Sequence, residues 1–183
     1  QIGSDIDGEA AGDRSGGSVS ISADGSVVAI GPRLRIYRND GGEWTQIGDV
    51  IDGESPNDYS GYSVSLSDDG SVVAIGAPYN DGNGESSGSL RIFQNINDSW
   101  SQVGNNIYGK GSWDKLGFSV SLSADGSVVA VGALAHGGSG YIRILQNINN
   151  VWTQVGNDIH GKSRSTGVGT SVSLSSDGSV LAL

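Results

Sequence analysis

A four-fold internal repeat constrains this chain of 183 residues more than any other feature of its sequence. One phrase, glutamine followed by an aliphatic residue and a glycine, begins at Gln1, Gln46, Gln102 and Gln154, at spacings of 45, 56 and 52 residues. Four Asp-Gly pairs repeat at the same three spacings. Repeats of roughly fifty residues indicate a propeller or a solenoid, in which each unit buries its apolar face against the next.

Each repeat has the pattern of four β-strands, here called A to D. In the second repeat, an alternating segment at 63–67 (strand A) and an apolar segment at 72–75 (strand B) flank an Asp-Gly pair, which favours a tight hairpin. Strand C follows at 90–93, and strand D runs from Trp100 through the glutamine phrase. The sequence therefore predicts an all-β fold, a β-propeller of four-stranded antiparallel blades. A β-solenoid is the alternative, although its coils are usually shorter.

The repeats divide residues 1–183 into three full blades and partial ones. Their approximate bounds are 1–45, 46–101, 102–153 and 154–183. The sequence begins with a strand D at a glutamine rather than a methionine and stops inside a strand B, which is typical of a mature or excised segment. We therefore expect a segment of a larger ring, closed by the remainder of its own chain or by another subunit, because a bare blade face would be apolar.

Two kinds of connection vary between the repeats. The loop from strand B to strand C, the BC loop, varies in length: the closing glycine of strand B precedes the start of strand C by 3, 14 and 10 positions in the three repeats. The connection from strand D to the next strand A, the DA connection, keeps its length but changes charge. Both emerge at one end of an up-and-down sheet, which we call the loop face, whereas the AB hairpins and CD turns form the hairpin face. Variable loops on a constant scaffold are typical of binding sites. The candidate binding residues on the loop face are Trp113, His136, His160, Asp81, Glu85, Glu54 and Asp58.

A family resemblance rests on the second repeat. The phrase Gly61-Tyr62-Ser63-Val64-Ser65, followed by Asp69-Gly70 and by Gly76-Ala77-Pro78, resembles the FG-GAP repeat of integrin α-subunit propellers and their microbial and algal relatives. The resemblance implies a propeller at an extracellular or cell-surface location. Family members that bind calcium use an acidic AB hairpin, but these hairpins carry only one or two carboxylates, whereas calcium takes six to eight oxygens. We therefore expect no cofactor, with calcium as the alternative.

Charge and composition limit the classes of partner that this chain could bind. The net charge of −10 argues against nucleic acid, whose phosphates attract Lys and Arg. No apolar run is long enough to span a bilayer, and the chain has no cysteine. No catalytic or metal-binding residues are assigned, because the two histidines have no clustered partners and the serines of strand A recur at core positions. Asn97, in the sequon Asn97-Asp98-Ser99, is a glycosylation candidate on the hairpin face.

The sequence favours a non-enzymatic extracellular or cell-surface module for adhesion, protein or glycan binding, or assembly through its loop face. Two alternatives remain open. One is an architectural repeat subunit of a larger filament or complex. The other is a carbohydrate-active enzyme or hydrolase built on a propeller, which would need polar catalytic groups clustered near the propeller axis.

Overall fold

A computed structural model describes residues 1–10, 12–135, 138–163 and 167–183. Every regular element in these residues is a β-strand, and all strand pairs of the four sheets are antiparallel. Blade 1 consists of β1 (Ser18–Ile21), β2 (Val27–Gly31), β3 (Arg35–Asp40) and β4 (Glu43–Gln46). Blade 2 consists of β5 (Ser63–Leu66), β6 (Val72–Ala77), β7 (Ser89–Ile96), β8 (Ser99–Gln102) and β9 (Ile107–Tyr108).

Blade 3 repeats this arrangement, and a smaller sheet follows it. Blade 3 consists of β10 (Ser119–Leu122), β11 (Val128–Ala133), β12 (Tyr141–Ile148), β13 (Val151–Gln154) and β14 (Ile159–His160). The last sheet pairs β15 (Ser173–Leu174) with β16 (Leu181–Ala182). Within each full blade the first four strands pair in chain order. The predicted fold class, successive four-stranded antiparallel blades, is confirmed.

Strand D differs from its prediction as one continuous strand. In blade 2 it is divided into β8 and β9, which pair with opposite ends of β7. The glutamine phrase forms the break, because Gly104 has a positive φ of 74°, which a regular strand does not allow. The Gln102 side-chain amide donates to the Gly104 carbonyl at 3.3 Å and to Asn106 at 2.8 Å. The repeated glutamine therefore stabilises a bulge in strand D.

The hydrophobic core lies between the blades, and the central strands contribute to it on both faces. Val73 and Ile75 of β6 pack toward blade 1, in a cluster with Ile36 of β3. Ala74, between them, belongs to a second cluster with Val129 and Val131 of blade 3. Residues that alternate along a strand point to opposite faces of its sheet. Strand B is therefore apolar throughout because neighbouring blades cover it from both sides.

Serines of strand A join successive blades near the propeller axis. Ser63 donates its hydroxyl hydrogen to the carbonyl of Gly117 in the next blade at 2.8 Å. Two residues later, the Ser65 hydroxyl accepts the Leu122 amide at 3.0 Å. The same two contacts occur at the interfaces on either side. Because the hydroxyls are bound to backbone groups, these serines have a structural role.

Candidate functional site

The strand order defines the two faces of the protein. On the hairpin face, the CD turn lies against the AB hairpin, since the Asn95 amide donates to Ser71 at 2.8 Å. On the loop face, the BC loop of blade 2 lies against the DA connection that leads to blade 3, since the Trp113 amide donates to Glu85 at 2.7 Å. Trp113 and the candidate loop residues 81 and 85 therefore lie together on the loop face.

The BC loop of blade 2 is bound along its length to that DA connection. The amides of Lys115 and Leu116 donate to the carbonyls of Ser86 and Ser87, each at 3.0 Å. Gly88 and Leu116 also form an isolated parallel bridge. The Asp81 carboxylate accepts the Ser86 amide at 2.7 Å and so closes the loop on itself. This candidate acidic residue therefore holds the conformation of its own loop.

A cavity of about 630 Å³ occupies the corresponding place between blades 1 and 2. In blade 1 the closing glycine of strand B precedes strand C by 3 positions, against 14 in blade 2, so blade 1 lacks the segment that would cover the DA connection at 53–60. Ligand-binding pockets usually have volumes of about 300–1,000 Å³. The lining residues are Gly12, Asp13, Arg14, Pro32, Arg33, Asp52, Gly53, Glu54, Ser55, Pro56, Asn57, Tyr59 and Ser60.

Charged and aromatic side chains form the walls of this cavity. Arg33 contacts Asp52 at 3.0 Å and Glu9 at 3.4 Å, and all three side chains are about half exposed. The hydrogen bond to Asp52 and its negative charge raise the pKa of Arg33, which therefore stays charged. Tyr59 is 44% exposed and packs on Tyr79 with ring centroids 5.0 Å apart. The cavity thus presents one exposed ring beside ion pairs that are open to solvent.

The candidate residues Glu54 and Asp58 meet at Asn80. The Asn80 side-chain amide donates to Asp58 at 2.7 Å and to Glu54 at 2.9 Å. Asp58 is buried, with only 4% exposure, and also accepts the Ser55 amide at 3.0 Å. Asp58 thus holds the DA connection in place, whereas Glu54 is exposed and lines the cavity.

The change from acidic to basic DA connections is matched by a change in the residue that each connection contacts. Glu54 accepts a hydrogen bond from Asn106 at 2.7 Å. At the equivalent position of the next repeat, Lys110 binds Asp158 at the same distance. Burial alone would raise the pKa of Asp158, but hydrogen bonds from Arg143 and Lys110 bring it below the ordinary value. The altered charge therefore preserves a contact between blades.

His160 lies at the edge of blade 3, next to a buried tyrosine. It belongs to β14, where it pairs with Tyr141, and the two rings lie 5.7 Å apart. The Tyr141 hydroxyl donates to Asp114 at 3.0 Å. Burial, and then the negative charge of Asp114, raise the pKa of Tyr141 well above its usual range, so the hydroxyl stays protonated. His160 itself is exposed, and the candidate His136 lies outside the described residues.

The carboxylates of the AB hairpins accept hydrogen bonds from residues of the same hairpin. Asp125 accepts the hydroxyl of Ser123 at 2.7 Å and the amide of Ser127 at 2.9 Å, and these bonds lower its pKa. Within the described residues, no group of three or more His, Cys, Asp or Glu side chains has the arrangement of a metal site. The absence of a hairpin calcium site stays a prediction, now supported by carboxylates that are bound within their own turns.

Asn97 occupies the CD turn of blade 2 with a positive φ of 53° and is exposed. Its neighbour Asp98 binds Arg38 of blade 1 at 2.7 Å. The sequon is therefore accessible on the hairpin face, away from the cavity.

Trp113 is 38% exposed on the loop face. In the part of the chain that is described, there is no helix of the length and hydrophobicity that a membrane span requires.

Four-stranded antiparallel blades that pack face to face define the class of this chain, which is that of the β-propellers. Residues 44–93 match the model of the FG-GAP repeat. The chain therefore contains an FG-GAP repeat, as its sequence predicted. Among curated proteins, no sequence matches the chain.

Solved structures of propeller type resemble most of this chain. Hydrazine synthase of Kuenenia stuttgartiensis aligns over 97% of this chain and 44% of its own, with 15% identity and a TM-score of 0.58. Sqt1 of Saccharomyces cerevisiae aligns over 82% and 37%, with 12% identity and a TM-score of 0.58. The protein described as TolB from Agrobacterium tumefaciens aligns over 88% and 50%, with 15% identity and a TM-score of 0.51. The chain spans half or less of each, and the likeness concerns the fold alone.

Proposed function

We propose that this propeller segment is a non-enzymatic binding module, extracellular or at the cell surface, that takes a macromolecular partner on its loop face. The observation that carries the proposal is the cavity between blades 1 and 2. It opens where the most variable loop is shortest, and it combines the exposed Tyr59 ring with the solvent-open Arg33–Asp52 pair. Aromatic rings and arginines are the side chains that most often anchor partners at interfaces.

The rest of the loop face supports recognition more than catalysis. Asp58 is buried, the side chain of Asp158 is 3% exposed, and both are bound to neighbouring side chains, while the Tyr141 hydroxyl donates to Asp114. The strand-A serines are bound to backbone groups of the next blade. A hydrolase would need a nucleophile beside a base, with space for a substrate next to both. These contacts support the proposal that the module acts by binding.

A second surface supports assembly as part of the same function. Val19 and Ile21 of β1 are 63% and 59% exposed on the face of blade 1 that points away from blade 2. In blade 2 the equivalent of Ile21, Leu66, is 7% exposed because blade 1 covers it, and the equivalent of Val19, Val64, is partly buried against the same cluster. A further blade, from the same chain or from another subunit, would bury this apolar face and continue the ring.

Binding screens with face-specific variants test the function. The wild-type chain is screened against a displayed peptide library and an oligosaccharide array, and each ligand is then measured with Trp113→Ala, on the loop face. Ile148→Ala is the matched control, because Ile148 is 52% exposed at the end of β12, next to a CD turn of the hairpin face. We expect Trp113→Ala to weaken binding and Ile148→Ala to leave it unchanged. Failure to recover any ligand, or loss of binding only with Ile148→Ala, would overturn the proposal.

A further inference from the structure

The repeat shows what is missing from the cavity between blades 1 and 2. Tyr59 and Ser60, in its wall, are the equivalents of Lys115 and Leu116, one repeat of 56 residues later. The amides of Lys115 and Leu116 donate to carbonyls of the BC loop of blade 2. Among the described residues, no group accepts a hydrogen bond from the amides of Tyr59 and Ser60. Two backbone donors therefore stand at the cavity without the partners that their equivalents have.

The local backbone is otherwise the same at both places. Tyr59 and Lys115 have nearly equal positive φ angles, 54° and 55°. Asp58 and Asp114 each donate an amide to the carbonyl three residues earlier, at 3.2 and 3.3 Å. The Ser60 carbonyl accepts the Arg33 amide at 3.4 Å, so one half of the bridge that Leu116 makes is kept. The conformation that receives a parallel segment is thus present, and only the segment is absent.

We infer that the cavity binds an extended segment of a partner protein, which runs parallel to residues 57–60 and whose backbone carbonyl oxygens accept hydrogen bonds from the amides of Tyr59 and Ser60. This inference rests on the proposed function and assigns a partner class to its site. A partner segment of this kind adds main-chain hydrogen bonds as the source of affinity, as in other cases of peptide addition to an exposed backbone edge.

The structure also indicates the composition of that segment. In blade 2 the corresponding loop reads Asn83-Gly84-Glu85-Ser86-Ser87-Gly88. A Cβ at Gly84 would lie 2.6 Å from the Ser112 hydroxyl, so small residues fit best. Arg14, exposed in the cavity wall, has no ion-pair partner among the described residues and favours an acidic residue in the partner. A segment of small residues with one acidic side chain meets both conditions.

The first test uses the loop itself as the probe. A capped hexapeptide with the sequence of residues 83–88 is added at millimolar concentration to isotope-labelled protein, and amide chemical shifts are recorded. We expect shifts at Tyr59 and Ser60 but not at Lys115 and Leu116, whose amides are occupied. A peptide with lysine in place of glutamate should bind at least tenfold more weakly. Unchanged amides of Tyr59 and Ser60, or equal affinity for both peptides, would overturn the inference.

Two kinds of variant place the peptide in the cavity. A loop graft, in which residues 77–89 replace Pro32 and Arg33, should fill the cavity and abolish the shifts. Tyr59→Ala keeps the backbone amide at position 59 but removes the exposed ring, so it should weaken peptide binding at least threefold. The matched variant Lys115→Ala should leave peptide binding unchanged. Peptide that still binds the graft, or oligosaccharides that shift these amides when the peptide does not, would exclude a protein partner here. If Trp113→Ala still weakens ligand binding in that case, the loop face keeps its proposed function and only this inference fails.

Discussion

Substitution of Gly76 by alanine should separate blades 2 and 3. Gly76 is the penultimate residue of β6. A Cβ built on it would lie closer to the Gly117 carbonyl oxygen of the next blade than van der Waals contact allows. That oxygen accepts the Ser63 hydroxyl at 2.8 Å, so the two blades cannot move apart without weakening the bond. Overpacking of this kind costs about 1–3 kcal/mol and a lost hydrogen bond about 1 kcal/mol. We therefore expect the free energy of unfolding to fall by about 2–4 kcal/mol.

Thermal unfolding followed by circular dichroism measures this loss. In a chain of this size each kcal/mol lowers the Tm by about 2–4 °C, so the expected decrease is roughly 5–15 °C. Gly111→Ala is the control, because a Cβ there would meet no atom within 4 Å and its φ is not positive. Equal Tm values for the two variants would show that the blades do not approach each other as closely as the structure has them.

Three further predictions concern charge and modification. Lys110→Glu should lower the free energy of unfolding in urea by about 1–3 kcal/mol, because the new carboxylate faces the buried Asp158 carboxylate. Adding Asp158→Asn should restore most of this free energy, and independent effects of the two changes would contradict the paired contact. Serine hydroxyls and amides hold the pKa of Asp24 and Asp177 at about 2, below the unfolded value of 3.8. The stabilisation that these two carboxylates give the folded state is therefore complete above pH 3.8 and disappears as the pH falls toward 2, and a Tm that rises on acidification across this range would contradict this assignment. Expression in a eukaryotic secretory system should give a glycan at Asn97, detected as a mass that a glycosidase removes, and an unmodified chain would contradict the accessibility of this sequon.

The fold could be predicted from the sequence because its signals are local and repeated. Asp-Gly pairs place the hairpins, and the apolar run at 72–75 fits a strand covered on both faces, as the two core clusters show. The sequence pattern does not indicate the division of strand D. This division depends on the Gln102 side-chain amide, which donates hydrogen bonds to Gly104 and Asn106 within the bulge. The alternation of polar and apolar residues does not predict such a side-chain contact.

The candidate site was predicted only in part. The varying lengths of the BC loops indicated which face would carry it, but the cavity arises from two blades packed side by side, and no single segment encodes it. The charge of Asp58 makes it a candidate in the sequence, but its burial depends on a contact with Asn80, 22 residues away. The match between Lys110 and Asp158 likewise joins residues of different repeats. Arg33 and Tyr59, which line the cavity, had no distinguishing signal in the sequence beyond the short loop.

Site-directed labelling tests the central claim, that the loop face is the binding surface. Because the chain has no cysteine, single-cysteine variants can carry a bulky maleimide polymer at one chosen position. Asn57→Cys places it at the cavity, and Ala23→Cys places it in an exposed AB hairpin of the hairpin face. With the ligands recovered in the binding screens, labelling at position 57 is predicted to abolish binding while labelling at position 23 leaves it intact. Binding that persists with position 57 labelled and is lost with position 23 labelled would contradict the account.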